Sequence, residues 1–262
     1  MPRFFFEISY NGSRYAGWQS QHNAVGIQDV VEDALSKILR TPLKIVASGR
    51  TDTGVHCIQQ FFHCDIEKSF QPEMLMQRLN AFLPRDIAIR SIRAVKPDAH
   101  ARYSARERTY QYHITTVKDP MLIGLALPFY RPLDVPTMNR AAALLCGEHD
   151  FTSFSKVNTD VHHFRCTVKK AEWTQKGTRL IFTITANRFL RGMVRAIVGT
   201  LLDVGTGKIS VYDFKNIIQK KDRKAAGANA DAQGLYLVRV KYPSSVFITS
   251  RSAHGKRAGK QR

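Results

Sequence analysis

The chain opens on strict alternation. Phe4, Phe6, Ile8 and Tyr10 fall on one side and Phe5, Glu7 and Ser9 on the other, which predicts a strand over residues 4–10. Asn11-Gly12-Ser13 interrupts it and begins a loop that carries Tyr15, Trp18 and Gln21 as far as Gly26. In a basic protein such side chains can stack on bases, or they can pack the loop down. Ile27, Val30, Val31, Ala34, Leu35, Ile38 and Leu39 then form one stripe of an amphipathic helix, which Pro42 ends. Strands are predicted over 43–48 and 57–66, a helix from Pro72 to Leu83, and a strand from Ile87 to Val95. Strand, helix, strand, strand, helix, strand is the ferredoxin-like split arrangement.

The second half repeats that order. Tyr110, Tyr112 and Ile114 share one face of a strand over 106–117, and Met138, Ala141, Ala142 and Leu145 the inner face of a helix from Pro136 to Cys146. Strands are predicted over 165–175 and 179–187, a long helix from Phe189 to Val204, a shorter one from Val211 to Lys220, and a closing strand from Leu235 to Tyr242. The expected fold is α+β: two ferredoxin-like βαββαβ halves, residues 1–105 and 106–250, joined into a central, mainly antiparallel sheet flanked by helices. An active-site cleft is expected between them. The long helix buries Leu190, Met193, Val194, Ile197, Val198 and Leu201. Its Arg188, Arg191 and Arg195 cluster on roughly the opposite face, either as a solvated basic stripe or with one arginine turned inward. Residues 251–262 have nothing apolar to bury and are expected to be a disordered basic tail.

Charge narrows the partner. The 262 residues carry a formal +19, which points to a polyanion, with nucleic acid ahead of an acidic membrane surface. Arg251, Lys256, Arg257, Lys260 and Arg262 supply five of those charges, so +14 remains without the tail. The four cysteines (Cys57, Cys64, Cys146, Cys166) form no Cys-x-x-Cys pair, so neither a zinc site nor a disulfide framework is expected. Met1-Pro2-Arg3 runs straight into a strand and no apolar run reaches membrane-spanning length, so a soluble, cytoplasmic protein is expected. The histidines lack metal-ligand spacing, and no phosphate-cradling glycine loop or serine-hydrolase elbow is present. Neither metal nor cofactor is expected.

What remains is an acid in a basic chain. Gly49-Arg50-Thr51-Asp52-Thr53-Gly54-Val55-His56 lies between two predicted strands, so that Asp52 sits at the mouth of a rigid sheet. Either Asp52 ties down a turn by capping backbone N–H groups, or it does chemistry.

This run closely resembles the catalytic loop of the TruA-type tRNA pseudouridine synthases. Tyr10-Asn11-Gly12-Ser13 with Tyr15, Gly17, Trp18 and Gln19 is similar to the opening of that family, and His100 to Ala105 with Arg108, Tyr110 and Tyr112 to its central strand motif. Asp150 to Phe154, Phe189 to Arg195 with Ile197-Val198-Gly199, and Gly234-Leu235-Tyr236-Leu237 follow in order. Residues 155–168 match only loosely, and the tail after Ser250 has no counterpart. The resemblance implies conversion of uridine to pseudouridine on the 3′ side of the tRNA anticodon arm, by a homodimer without cofactor. It carries over Asp52 as the catalytic carboxylate and Arg195 as the partner that keeps it ionised. By the same resemblance Tyr110 is expected to pack on the uracil, Arg50 to take the space the flipped base leaves, and Leu235 to form an apolar wall. Ferredoxin-like halves also make RNA-recognition modules. A simple binder, however, gains nothing from an acid that repels phosphate, and a metal-dependent nuclease would need clustered carboxylates that this chain lacks.

Overall fold

The computed structural model describes residues 1–156 and 162–248. Its first half runs β1 (Arg3–Tyr10), α1 (Ile27–Leu39), β2 (Val46–Ala47), β3 (His56–Asp65), α2 (Pro72–Phe82) and β4 (Ile87–Val95). The second runs β5 (Glu107–Thr115), β6 (Leu127–Pro128), α3 (Val135–Ala143), β7 (Gly147–Asp150), β8 (Arg165–Lys176), β9 (Arg179–Ala186), α4 (Met193–Gly205), α5 (Val211–Lys220) and β10 (Leu235–Lys241). All ten strands join one sheet, along the path β4-β1-β3-β10-β5-β9-β8-β7, with β2 on β3 and β6 on β5. Within it, β4-β1-β3-β2 and β10-β5-β9-β8 are the same ferredoxin-like order twice. The mixed α+β architecture with its mainly antiparallel sheet is as the hydrophobic pattern predicts.

The seam is the part that pattern does not show. One edge of β3 is shared: β10 pairs with it in parallel at Tyr236↔His56 and Leu237↔Cys57, and β2 takes Val46↔His63 and Ala47↔Phe62 further along. That leaves β2 two residues long, not the six predicted. Its upstream neighbours bond to α1 instead, Leu43 N–H to Ser36 Oγ at 3.1 Å and Ile45 N–H to Glu32 Oε1 at 3.1 Å. The cores interlock across this seam. Leu237 and Val240 of β10 pack in the core of the first half, and Val55 in that of the second. Tyr110 touches both.

The helix predicted from Phe189 starts later, at Met193. Gly192 precedes it with φ +73°, a left-handed conformation that ends the preceding loop and caps the helix. Arg188 and Arg191 therefore lie on that loop, and only Arg195 of the three is helical. The short strand β7 was hidden in sequence because Gly147-Glu148-His149-Asp150 has no apolar alternation. No described helix is long and apolar enough to cross a membrane. The tail 251–262 and residues 157–161 of the loosely matching stretch lie outside the described residues.

Candidate active site

The loop from Ser48 to Val55 is held by backbone. Ser48 N–H donates to Phe61 O at 2.7 Å, Trp18 N–H to Thr51 O at 3.1 Å and Gly54 N–H to Tyr15 O at 3.3 Å. Val55 N–H closes the turn on Asp52 O at 3.2 Å. The opening segment lies so close that it admits no side chain at two points. A Cβ on Gly12 would stand 2.0 Å from Val55 O, and one on Gly17, at φ +87°, 2.4 Å from Thr51 O. Tyr10 and Thr51 share a hydroxyl hydrogen bond of 2.8 Å. Trp18 is buried against Tyr10 and Phe62, so the aromatic loop packs down and does not offer that ring to a base.

His56 fastens the loop's exit. Gly12 N–H donates to Nδ1 at 3.2 Å, so Nδ1 is bare and the proton sits on Nε2, which meets Gly124 O at 3.0 Å and Gln233 O at 3.1 Å. Burial lowers the pKa of the ring, in keeping with this neutral tautomer. The ring stacks on Tyr236 at 4.6 Å.

Asp52 is half-buried on this loop. Among the described residues no hydrogen-bond donor reaches its carboxylate. The turn is closed by the backbone oxygen of Asp52, so the capping alternative finds no support. Arg50 beside it is exposed.

The second half supplies the facing wall. Tyr110 stands edge-on to Phe189, with ring centroids 5.0 Å apart and planes at 83°. Burial, with lesser contributions from Cys57 and Asp52, raises the pKa of its phenol, and Arg108 opposes the rise. Leu235 is buried at the start of β10, where the pairing of Tyr236 with His56 sets it level with Val55.

Arg195 is placed differently from expectation. Its Nε donates to Ala230 O at 2.6 Å, and Ala230 N–H returns a bond of 3.0 Å to Arg195 O. No ion pair within 4.0 Å joins it to Asp52. Residues 226–234 form a strap that runs from α4 to the Gly54 turn. Gly227 N–H bonds to Thr200 Oγ1 on α4, Asp231 O accepts the Tyr112 hydroxyl, and Ala232 lies against the Cβ position of Gly54. Asp52 and Arg50 thus share the loop that enters β3, Tyr110 and Leu235 lie on the paired strands β5 and β10, and Arg195 is tied to the backbone of Ala230.

A hollow of about 350 Å3 lined by Tyr10, Asn11, His56, Arg85, Asp86 and Tyr236 flanks the loop, and one of about 150 Å3 lies by Glu107, Arg239 and Lys241. Neither includes Asp52. No group of three or more His, Cys, Asp or Glu among the described residues could hold a metal ion.

The contributions of Gly12, Gly17, His56 and Phe189 went unread in the sequence. Their motif membership was visible, but which backbone each one meets was not.

A family model described as tRNA pseudouridine synthase matches residues 8–104 and 141–243. The tRNA pseudouridine synthase A of Porphyromonas gingivalis is 51% identical over 253 residues, covering 95% of this chain and 100% of that one. The protein of the same name from Parabacteroides distasonis is 46% identical, with 94% and 98% covered. That of Bordetella petrii is 37% identical, with 98% and 97% covered.

Proposed function

The chain belongs to the tRNA pseudouridine synthase family, and on that premise we propose that it isomerises uridine to pseudouridine on the 3′ side of the tRNA anticodon arm, as a cytoplasmic homodimer without cofactor. One observation carries the assignment of the reacting group. Asp52 offers a carboxylate that no described donor engages, on a loop fixed from both sides by backbone contacts. A catalytic group positioned in this way loses little entropy when the substrate arrives.

The reaction breaks the N1–C1′ bond, turns the uracil and joins C5 to C1′; the C5 proton is lost and N1 gains one, so no atom is added or removed. Asp52 either bonds to C1′ or takes a sugar proton to leave a glycal. Both routes need the base out of the stack, because C5 and C1′ are out of reach within it. Tyr110 packs on the flipped uracil and assists removal of the C5 proton. Leu235 closes the pocket with an apolar surface, and Arg50 fills the space left in the RNA. Arg195, held by Ala230, contributes positive potential, which favours both phosphate and an ionised Asp52.

Asp52→Asn tests this reading. The substitution keeps size and shape but removes the nucleophile and base, so pseudouridine formation should disappear. Affinity for tRNA should hold or tighten slightly, because a negative charge has left a phosphate-rich site. Stability should change by less than about 0.5 kcal/mol, since no hydrogen bond to the side chain is lost. A folded Asp52→Asn protein that binds tRNA and still makes pseudouridine would overturn the assignment.

A further inference from the structure

Arg108 has four partners, and all are main-chain carbonyls. Its Nη1 donates to Ala105 O at 3.1 Å and Asn187 O at 2.9 Å. Its Nη2 donates to Ser48 O at 3.2 Å and Arg102 O at 2.6 Å. No carboxylate lies within 4.0 Å among the described residues. A guanidinium in such surroundings is held at a desolvation cost, and burial lowers its pKa.

The four carbonyls come from three separate segments of the chain. Ser48 is the residue before the Asp52 loop. Arg102 and Ala105 lie in the turn that leads into β5. Asn187 follows β9 and opens the loop that carries Phe189, whose ring stands on Tyr110. Arg108 and Tyr110 are two residues apart on β5 and so face the same side of the sheet. One planar fork therefore references the entry of the acid's loop, the strand bearing Tyr110 and the loop bearing its aromatic neighbour to a single point.

We infer that Arg108 is a positioning residue for the isomerisation, fixing the Asp52 loop against the Tyr110–Phe189 wall. It touches neither reacting atoms nor substrate in this role. The inference rests on Asp52 being the reacting group.

Arg108→Lys keeps the charge but cannot hold four carbonyls in a plane, and Arg108→Met keeps much of the length without the charge. Both should be purified with the unaltered protein and Asp52→Asn and assayed on one tRNA. Misplacing a reacting group by about 1 Å can lower a rate about 100-fold. Arg108→Met should accordingly lose about that much in kcat, and Arg108→Lys about tenfold. Affinity for tRNA should stay within about threefold in both, because a positioning group adds no binding of its own. Amide exchange should quicken over residues 48–55 while α1 and α4 stay protected. The assay temperature is set below both melting transitions, so a purely structural role would leave kcat of the folded variants near that of the parent. Folded variants with kcat within threefold of the parent would overturn the inference. So would a loss of tRNA affinity in step with kcat, which would make Arg108 an RNA-binding cation. An active Asp52→Asn control would instead remove the premise, so the two failures are told apart.

Discussion

The two sides of the Asp52–Tyr110 seam are built by opposite means. The first half presents its acid on a loop clamped by main chain, with Gly12 and Gly17 pressed against Val55 O and Thr51 O. The second half presents Tyr110, Phe189 and Leu235 as side chains on strands or just beyond their ends, packed by ordinary hydrophobic contact. Main-chain contact has almost no slack, because a carbonyl cannot rotate away as a side chain can. Side-chain packing yields more readily. The acid's position is thus set by steric exclusion, and the wall's by cohesion.

The largest effect should come from the glycines. Gly12→Ala and Gly17→Ala each drive a methyl into a carbonyl, and the loop or the opening segment must move. We expect a loss of about 3 kcal/mol or more in urea unfolding and a collapse of turnover in whatever folds. Either variant with parental stability and turnover would show that the loop has slack after all.

Acid should come next. His63 and His113 have their pKa values lowered to about 4, chiefly by burial, and that of His56 is also lowered. Each ionises near 6.5 when unfolded, so on acidification the unfolded chain takes up these protons first. Stability should be level above about pH 6.5 and fall from there toward pH 4, by up to about 3 kcal/mol for each of His63 and His113. His56 lets the comparison be tested in place, since its protonation would put an N–H on Nδ1 against Gly12 N–H. Amide exchange should then rise at residues 12–17 and 51–55 before it rises in β5 and β9. Simultaneous loosening of both sides would count against a separate clamp.

The smallest effect is expected at Gly49. Nothing lies within 4 Å of the Cβ it lacks, and its φ is not in the left-handed region. Gly49→Ala should shift the unfolding free energy by less than about 1 kcal/mol. A larger loss would mean that the steric clamp reaches Gly49 itself.

These contrasts also explain what could be read in advance. Periodicity placed α1 and α5 well, because Ile27, Val31, Leu35 and Leu39, and Phe214, Ile217 and Ile218, are apolar at helical spacing and all of them face a core. It overextended α4 because Phe189 and Leu190 continue the apolar stripe, and only the backbone of Gly192 breaks it. Motif resemblance pointed to Asp52, Tyr110 and Leu235, which lie on the loop entering β3, on β5 and on β10. It did not reveal that Arg195 bonds to Ala230 O, nor that Arg108 gathers four carbonyls, because a carbonyl is the same atom in every residue. Contacts to main chain leave no mark in composition or spacing.

The strand at the seam follows the nine other described strands in the order of synthesis. By the time residue 225 has left the exit tunnel, nine of the ten strands exist, yet β3 still lacks its parallel neighbour and β5 one of its edges. The strap at 226–234, the Gln233 carbonyl under His56 and the wall at Leu235 arrive together in one short stretch of synthesis. Pairing across so much intervening chain is slow to find. A nascent polypeptide that has delivered only these residues therefore holds its acid loop and the Tyr110–Phe189 pair, but neither the strap nor Leu235.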